Sequence, residues 1–329
     1  MPEGDTLHRT AARLRPALVG AGLVRFELAR VPRPHPALGT VVLDVRAVGK
    51  HLLIDLDGWV LRTHLRMSGS WHLYETGQRW QRPAHLARAV LGVPGWEAVC
   101  FAAPVVVLER TARSGRGTPG RSNAEGAVGR SPGAEGAVDR APGAEASVDR
   151  SPGAEGSADG APVGEGTGRS AVPPPAAAVP AAQPAALAHL RPDLCVAGAD
   201  LDRAVDRMAA IPAPETTVAE VLLDQRVAAG IGNVYKSEVL WACRVDPFTP
   251  IERVDGATRR RLVDRAHRLL LANLGGGPRT TVPGPPGSLA VYGRAGRPCP
   301  RCGTPISSRR HGEQARRTFW CPRCQAPSA

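Results

Sequence analysis

Lysine is almost absent from this sequence of 329 residues. Of its 42 lysines and arginines, only Lys50 and Lys236 are lysines, which leaves 40 arginines. A retained lysine in such a chain suggests a need for a compact ammonium group, although chance explains either residue taken alone about as well. Scarce lysine does not mean scarce charge, because the formal net charge is +12. This surplus favours a polyanionic partner, most simply nucleic acid, over acidic proteins or membrane surfaces.

Long hydrophobic runs are also missing. The sequence has no run of eighteen apolar residues, and its first thirty residues lack a basic segment followed by an apolar core and a small-residue cleavage site. The first absence argues against a membrane span and the second against export. Because 43% of the residues are hydrophobic, the chain can still bury a core. We therefore expect a folded cytoplasmic protein with no membrane partner.

Bulky apolar residues are scarce in residues 111–186, which contain near-repeats such as "RSPGAEGAVD" and "RAPGAEASVD". A segment of Gly, Pro, Ala, Glu and Ser cannot bury enough surface to offset its conformational entropy, so we expect a disordered insert between domains. The segment holds seven arginines and eight acidic residues, which leaves a net charge of about +13 on the other 253 residues. The polyanion argument therefore belongs to the folded parts.

The residues before the insert predict a mostly β domain that begins with a helix. Apolar residues at helical spacing follow a candidate cap, Thr6, and predict an amphipathic helix over 6–19. The alternating segment "TVVLDVRAV" and the later "VVVLER" read as strands. Two apolar runs around Asp57 and Gly58 are typical of a hairpin.

The residues after the insert have a helical period. Four segments, from "ADLDRAVDRMAAI" to "DGATRRRLVDRAHRLLLANL", predict helices with short connections. Between the second and third lies "AGIGNVYKSE", where Gly230 and Gly232 permit a tight turn and Asn233 begins the next helix. Such a helix start is suited to contact a phosphate. It is not a dinucleotide-binding motif, because a third glycine and a preceding strand are missing.

Four cysteines near the end of the chain form two C-x-x-C pairs separated by eighteen residues: Cys299, Cys302, Cys321 and Cys324. This spacing predicts one structural Zn²⁺ rather than two disulfides in a cytoplasmic protein. Residues 291–329 contain eight arginines and one acidic residue, so this zinc-binding segment also suits a phosphate-facing surface. The remaining cysteines are expected to be core residues: Cys100, Cys195 and Cys243.

Taken together, "MPEGDT", "GKHLL", "LLDQRVAAGIGNVYKSEVLW", "VYGRAGRPCPRCG" and "RRTFWCPRCQ" resemble the bacterial formamidopyrimidine-DNA glycosylase and endonuclease VIII family. The motifs run in order across all of the chain except the insert. The resemblance implies an α+β fold: an N-terminal β-sandwich with a catalytic N-terminal helix, a helix–two-turn–helix domain and a C-terminal zinc finger. The corresponding boundaries are 1–110, 187–290 and 291–329, with the insert at 111–186. It also implies a monomer that holds damaged DNA in the cleft between its domains.

The resemblance explains the first residues of the chain. In the family, the amine of a terminal proline attacks the sugar C1′ of a damaged nucleotide, expels the base and forms an iminium that drives β- and then δ-elimination. Pro2 would be this nucleophile once Met1 is removed, and Glu3 would protonate the departing base or the ring oxygen. An ordinary helix start is the competing interpretation of these two residues.

By the same resemblance, Lys50 contacts the phosphate of the lesion, and Asn233 and Arg316 are further phosphate contacts. Arg317 is the neighbouring competitor of Arg316 for that role. Lys236 falls at a position where the family varies, so a solvated helix face is its expected place.

Met67 resembles the side chain that fills the gap left by an everted base, although its periodicity alone would make it a core residue. The family often has a second glutamate where this chain has Thr6, which leaves one support of the sugar unassigned. The start "MPEGD" is similar to the endonuclease VIII branch, which prefers oxidised pyrimidines, whereas Met67 resembles the purine branch.

Two other functions compete with a DNA glycosylase. The chain could be a zinc-finger DNA-binding protein that keeps the fold without the reaction, but Pro2, Glu3 and Lys50 argue against this. It could also be an N-terminal-proline tautomerase of small molecules, for which the basic zinc segment and the helical domain would have no purpose. We therefore predict a bifunctional DNA glycosylase and abasic-site lyase of base excision repair.

Overall fold

A computed structural model describes residues 2–111 and 187–327, apart from positions 188, 191, 212, 214, 313 and 314. The predicted disordered insert lies outside the described residues, except for Thr111. Within the described ranges, none of the helices has the length and apolar character needed to cross a bilayer.

The N-terminal domain is a helix followed by two four-stranded antiparallel sheets. The helix and strands are α1 (Gly4–Leu18), β1 (Arg25–Leu28), β2 (Val42–Val48), β3 (His51–Leu56), β4 (Trp59–His64), β5 (Ser70–Glu75), β6 (Ala87–Val93), β7 (Trp96–Phe101) and β8 (Val105–Arg110). One sheet has the order β2-β3-β4-β8 and the other the order β1-β6-β7-β5. The predicted hairpin around Asp57 and Gly58 is the β3–β4 turn.

Helix α1 packs its apolar side on the core between the sheets. Leu7, Leu14 and Leu18 are buried there with side chains of both sheets. The predicted helix is right, but its predicted cap is wrong, because the cap is Glu3 and Thr6 lies inside the first turn. The Thr6 hydroxyl accepts a 3.4 Å hydrogen bond from the Glu3 backbone N–H. The helix therefore begins directly after the two residues expected to carry the chemistry.

Four helices form the second domain: α2 (Leu201–Ala209), α3 (Val218–Val221), α4 (Asn233–Cys243) and α5 (Gly256–Ala272). Asp200 and Asp255 cap α2 and α5 through their carboxylates. Helix α3 is a single turn, which is much shorter than its apolar segment predicted. Helix α4 is buried from Asn233 to Trp241, so it runs through the middle of the domain rather than along its surface.

The last part of the chain is a two-stranded antiparallel hairpin, β9 (Ser307–His311) and β10 (Arg316–Trp320). Its apolar residues pack on the end of α4, where Trp241 joins Ile306 and Phe319 in a small core. The four cysteines of the two C-x-x-C pairs are called the zinc-type cysteines below. Two of them, Cys299 and Cys321, are buried in the same core. Helix α4 is thus in contact with the hairpin that carries Arg316.

Candidate active site

The start of α1 is anchored on the start of α4. Glu3 is fully buried, and its carboxylate accepts hydrogen bonds from the backbone N–H groups of Gly232 (3.0 Å), Val234 (2.7 Å) and Tyr235 (3.3 Å). These donors belong to the N-terminal end of α4, where the helix dipole also favours negative charge. The residue next to Pro2 is therefore held by the helical domain.

Two glycines allow this close approach. A Cβ atom at Gly232 would lie 2.3 Å from Cδ of Glu3, and one at Gly4 would lie 2.7 Å from Cα of Gly230. The Gly4 N–H also donates to the Gly230 carbonyl at 2.9 Å. The glycines of "AGIGN" therefore serve the contact with the N-terminus.

This contact changes one expectation. The start of α4 was predicted to contact a phosphate, but the anion at its backbone N–H groups is the Glu3 carboxylate. The Asn233 side chain is also engaged, because its Nδ2 donates to the Arg317 carbonyl at 2.8 Å. One of the two amide N–H groups of Asn233 is left for a further acceptor.

Lys50 lies in the turn between β2 and β3. The turn is fixed by Asp193, whose Oδ2 accepts the Gly49 N–H at 2.6 Å. Burial and the charge of Arg316 together lower the pKa of Lys50 to about 8, although the negative charge of Glu3 opposes both. The fold thus brings Lys50, Glu3 and Arg316, which are far apart in sequence, within electrostatic reach of one another.

The two arginines at the start of β10 differ in their surroundings. Adjacent residues of a strand point to opposite faces. Arg316 is half-buried and lowers the pKa values of Lys50 and Lys236. Arg317 is exposed and donates a long hydrogen bond of 3.5 Å to Ser308.

Lys236 was predicted on a solvated helix face, and this is wrong. It is 1% exposed, and its Nζ donates to Oδ1 of Asn233 at 2.7 Å and to Oγ1 of Thr318 at 2.8 Å. Burial, together with the charge of Arg316, lowers its pKa to about 8. Helical periodicity missed it because α4 is buried on nearly all sides. The rarity of lysine in this arginine-rich chain was the better indication that Lys236 has a specific place.

A buried network lies beside Thr6, where the family resemblance leaves one support of the sugar unassigned. Beside Thr6, Asp5 is fully buried and accepts two hydrogen bonds from Arg279, at 2.9 and 2.6 Å. Arg279 also donates to the Thr6 hydroxyl at 3.2 Å, and the Tyr235 hydroxyl donates to Asp5 at 3.0 Å. Asp5 is therefore a buried carboxylate that is neutralised by Arg279. Sequence reasoning missed Arg279 because it lies in a glycine- and proline-rich loop without periodicity.

His8, Asp193 and Cys195 form a second cluster close to the N-terminus. Their possible ligand atoms lie within 4.8 Å of one another. Both carboxylate oxygens of Asp193 already accept hydrogen bonds, from the Gly49 and Cys195 N–H groups, and His8 lies 3.1 Å away. Burial raises the pKa of the Cys195 thiol, which disfavours the thiolate. The cluster is a hydrogen-bond junction that ties the Lys50 turn to α1.

Met67 is 68% exposed in the loop between β4 and β5, which excludes a core position. His64 ends β4 three residues earlier and lies opposite His51, with ring centroids 4.8 Å apart. Burial, together with the charge of Lys50, lowers the pKa of His64 to about 4. His64 is therefore neutral at physiological pH and lies near the phosphate-contact candidates. The sequence analysis did not single out His64, although it lies directly before "LRMSGS", the segment that contains Met67.

The four cysteines of the two C-x-x-C pairs meet in one cluster. The separations between their sulfur atoms include 4.0 Å for Cys299–Cys324, 3.5 Å for Cys302–Cys321 and 3.4 Å for Cys302–Cys324. Tetrahedral zinc with Zn–S bonds of about 2.3 Å would separate its sulfur ligands by about 3.8 Å. The donor set and its spacing therefore fit one zinc ion with a closed coordination shell.

Three family models match the chain in this order: the formamidopyrimidine-DNA glycosylase N-terminal domain over residues 1–102, the formamidopyrimidine-DNA glycosylase H2TH domain over 198–282, and the zinc finger found in FPG and IleRS over 296–327. The fold and these matches define an enzyme of the DNA glycosylase and abasic-site lyase class.

Curated proteins of the same family are similar to this chain along its whole length. The chain is 36% identical over 335 residues to a probable endonuclease 8 2 of Streptomyces coelicolor, which covers 100% of this chain and 95% of that protein. It is 33% identical over 333 residues to the DNA-(apurinic or apyrimidinic site) lyase Nei2 of Mycolicibacterium smegmatis, with 100% of both chains covered. The chain belongs to the formamidopyrimidine-DNA glycosylase and endonuclease VIII family, as its motifs indicated.

Solved structures support the fold. MutM (Fpg) of Thermus thermophilus matches with a TM-score of 0.64 and 24% identity, with 100% of both chains covered. The Lactococcus lactis formamidopyrimidine-DNA glycosylase, solved with DNA that contains an abasic site, matches with a TM-score of 0.63 and 16% identity over 99% of this chain and 100% of that chain. The predicted α+β fold class, with its β domain, helix–two-turn–helix domain and zinc-finger region, is confirmed.

Proposed function

We propose that this chain is a bifunctional DNA glycosylase and abasic-site lyase that removes oxidised bases, with Pro2 as its nucleophile. The observation that carries the proposal is the anchoring of Glu3 by three backbone N–H groups of α4. This contact holds the adjacent Pro2 within a site that also contains Lys50 and Arg316. An ordinary helix start would not need a fully buried glutamate fixed by a second domain.

The positive charges of the site suit an amine nucleophile. Removal of Met1 frees the secondary amine of Pro2, which attacks only in its neutral form. Lys50 and Arg316 disfavour the ammonium form by like-charge repulsion. When the amine nitrogen bonds to C1′ of the nucleotide, the bond from C1′ to the base breaks and its electron pair leaves with the base. The nitrogen loses its proton, and opening of the sugar ring then gives an iminium.

Glu3 is suited to move that proton. Its carboxylate can accept the proton from the amine of Pro2 and deliver it to the departing base, and a second proton, taken up from solvent, goes to the ring oxygen as the ring opens. The iminium then acidifies the C2′ proton, and loss of this proton expels the 3′-phosphate in β-elimination. In the second elimination, δ, loss of the C4′ proton expels the 5′-phosphate, and water then hydrolyses the iminium, which frees the sugar fragment and restores the amine of Pro2.

The phosphate contacts follow from the same geometry. Lys50 and Arg316 supply charge near the anchored N-terminus, and Asn233 has one amide N–H to offer. The half-buried place of Arg316 near Lys50 favours it over the exposed Arg317. Damaged DNA as the partner is supported by the Lactococcus protein of the same fold, which was solved with abasic-site DNA.

Met67 is proposed as the wedge that fills the space of an everted base, because it is a flexible apolar side chain exposed on a loop. The start "MPEGD" and the relatives named endonuclease 8 favour oxidised pyrimidines as substrates. A monomer in the cytoplasm, associated with the nucleoid, remains the expected state.

One zinc ion is proposed for the cluster of Cys299, Cys302, Cys321 and Cys324. With four protein ligands its coordination shell is closed, so the metal supplies structure rather than catalysis. The cysteines would hold the β9–β10 hairpin against α4, and this fixes the position of Arg316.

The proposal separates the tasks of Pro2 and Glu3, and this can be tested. Glu3→Gln should lose excision of an oxidised pyrimidine by about a hundredfold or more, because proton transfer by a positioned side chain contributes at least that much. Cleavage of a preformed abasic site should persist at a measurable rate, since no base needs protonation there. Single-turnover assays on the two duplexes give both rates.

Glu75→Gln, an exposed glutamate on β5, is the matched control and should leave both rates unchanged. Equal loss of both activities in Glu3→Gln, with DNA binding retained, would contradict the separate tasks. Retention of both would remove Glu3 from the mechanism.

A further inference from the structure

A groove of about 440 Å³ lies at the C-terminal end of α4, and we call it the rear groove. Three parts of the chain line it: the last residues of α4 with the residue that follows them, one side of α5, and the turn between the first two zinc-type cysteines. Five arginines line it: Arg244, Arg261, Arg265, Arg268 and Arg301. Within α5 the spacing of positions 261, 265 and 268 puts three guanidinium groups on one side of the helix.

Among the residues that the structure describes, none of these five arginines forms an ion pair with a carboxylate. Arg261 donates to the Thr258 hydroxyl and Arg268 to the Asp264 backbone carbonyl. Arg301 donates to the backbone carbonyls of Trp241 and Ala242, so these bonds are all to neutral groups. Nε of Arg265 is buried without a hydrogen-bond partner in the same described part of the chain. Like charges that converge on one groove repel each other, and a bound anion would relieve this repulsion.

The lining suits phosphate better than a protein surface. Protein interfaces use arginine as well, but their centres also carry exposed aromatic or other large apolar side chains. The one aromatic residue of this lining, Trp241, is only 8% exposed, and the Arg301 guanidinium covers its ring at 4.0 Å. Guanidinium groups match the oxygen atoms of phosphate with pairs of parallel hydrogen bonds.

The rear groove is separate from the candidate active site. Helix α4 has eleven residues, so its two ends are about 15 Å apart. Glu3 and Asn233 lie at the N-terminal end, and Arg244 follows the C-terminal end. A duplex held at the active site would therefore contact the other end of this helix.

We propose that the rear groove binds the phosphate backbone of a second segment of DNA, distinct from the segment that carries the lesion. The binding is electrostatic and independent of sequence, because the lining offers guanidinium groups to phosphates and no surface shaped for base edges. Such a site would hold the enzyme on undamaged DNA without taking part in excision.

The test is the double variant Arg261→Glu/Arg268→Glu, which changes two exposed side chains of the groove. The control is Arg79→Glu/Arg203→Glu, which makes the same change of net charge at two exposed arginines outside it. Binding of each protein to a long undamaged duplex is measured over a series of salt concentrations. Excision is measured in parallel on a lesion duplex too short to reach both ends of α4.

The groove variant should bind long undamaged DNA at least about tenfold more weakly, and its slope of log affinity against log salt should fall by about 2, since each lost phosphate contact removes about 0.9. The control should bind within about threefold of the unaltered protein, and all three proteins should excise from the short duplex at similar rates. Arg261→Gln/Arg268→Gln should show the same trend with a smaller effect, which separates lost contacts from misfolding.

Equal losses in the groove and control variants would overturn the proposal, because they would reflect net charge alone. Unchanged DNA binding together with loss of binding to a polyglutamate peptide would also overturn it, since the groove would then serve an acidic protein. Loss of excision on the short duplex would place these arginines at the lesion rather than at a second DNA segment.

Discussion

At the scale of single residues, the position of Glu3 depends on the absence of a side chain at Gly232. The backbone φ of Gly232 is −123°, which alanine adopts without strain, so a substitution there acts only through the new Cβ atom. That atom would lie 2.3 Å from Cδ of Glu3, and real Cβ contacts do not come this close. The Glu3 carboxylate would have to move.

Gly232→Ala should therefore reduce base excision by about a hundredfold, because a misplacement of about 1 Å in a catalytic group has effects of this size. The measurement is single-turnover excision, with thermal unfolding as a check of the fold. Gly256→Ala, also at the start of a helix but with no atom within 4 Å of the new Cβ, is the matched control. Excision at the unaltered rate in Gly232→Ala would show that the Glu3 contact is not needed.

A second prediction at this scale concerns Lys236. Its ammonium joins Asn233 on α4 to Thr318 on β10. Lys236→Met keeps the apolar stem but removes both hydrogen bonds, so Asn233 and the hairpin lose their common support. We expect substrate affinity to fall about tenfold, which corresponds to about 1.4 kcal/mol. The rate at saturating substrate should change little, because Lys236 positions other groups.

Steady-state kinetics on abasic DNA separate these two effects. Thr318→Val removes one of the two bonds and should give a smaller loss of affinity. Lys236→Arg should not restore affinity, since a guanidinium is too large for this buried place. A fully active Lys236→Arg would contradict the need for a compact ammonium.

At the scale of elements, α4 connects every part of the site. Its start holds Glu3, its first turn holds the β9–β10 hairpin through Lys236, and its end packs on the zinc-type cysteines. In its middle, Glu238 is buried and accepts the backbone N–H groups of Ala290 (2.8 Å), Val291 (2.9 Å) and Tyr292 (2.8 Å). The Thr281 hydroxyl is a fourth donor. One carboxylate thus holds the segment that joins α5 to the hairpin.

Glu238→Gln should lower the free energy of unfolding by about 2–4 kcal/mol. A glutamine has one acceptor oxygen, and its NH₂ group would face donors, so backbone N–H groups would be buried without partners. Urea denaturation measures the change, and Glu252→Gln, at an exposed glutamate, is the control. A difference of less than about 0.5 kcal/mol between the two variants would contradict this role of Glu238.

The elements were largely predictable, whereas their contacts were not. Hydrophobic period indicated α1 and α5, because these helices each have one buried and one exposed face. Two apolar runs around the turn residues Asp57 and Gly58 indicated the β3–β4 hairpin, although β3 is buried on both faces. Helix α4 is buried on nearly all sides, so its sequence does not show which polar residues find partners. The burial of Lys236 and Glu238 depends on residues up to 82 positions away in the chain.

At the scale of the whole molecule, the motifs identified the family because each combines residue types with fixed spacing. The meeting of Pro2, Glu3, Lys50 and Arg316 followed from that resemblance and not from any local pattern. The Asp5–Arg279 pair could not be foreseen, since it joins the first turn of α1 to a loop without periodicity. The structure therefore added most information at the positions where the chain departs from the family pattern.

The central claim is that the amine of Pro2 forms a covalent intermediate with the sugar. Borohydride trapping on abasic DNA tests it directly, because reduction of an iminium leaves a stable link between protein and DNA. Protein with a free Pro2 amine should trap, and a tag at the C-terminus should make no difference. A tag ahead of Pro2 converts the amine to an amide with a delocalised lone pair, so it should abolish trapping while DNA binding persists. If the blocked protein, shown intact by mass spectrometry, traps at the normal rate, the nucleophile lies elsewhere, with Lys50 as the first suspect.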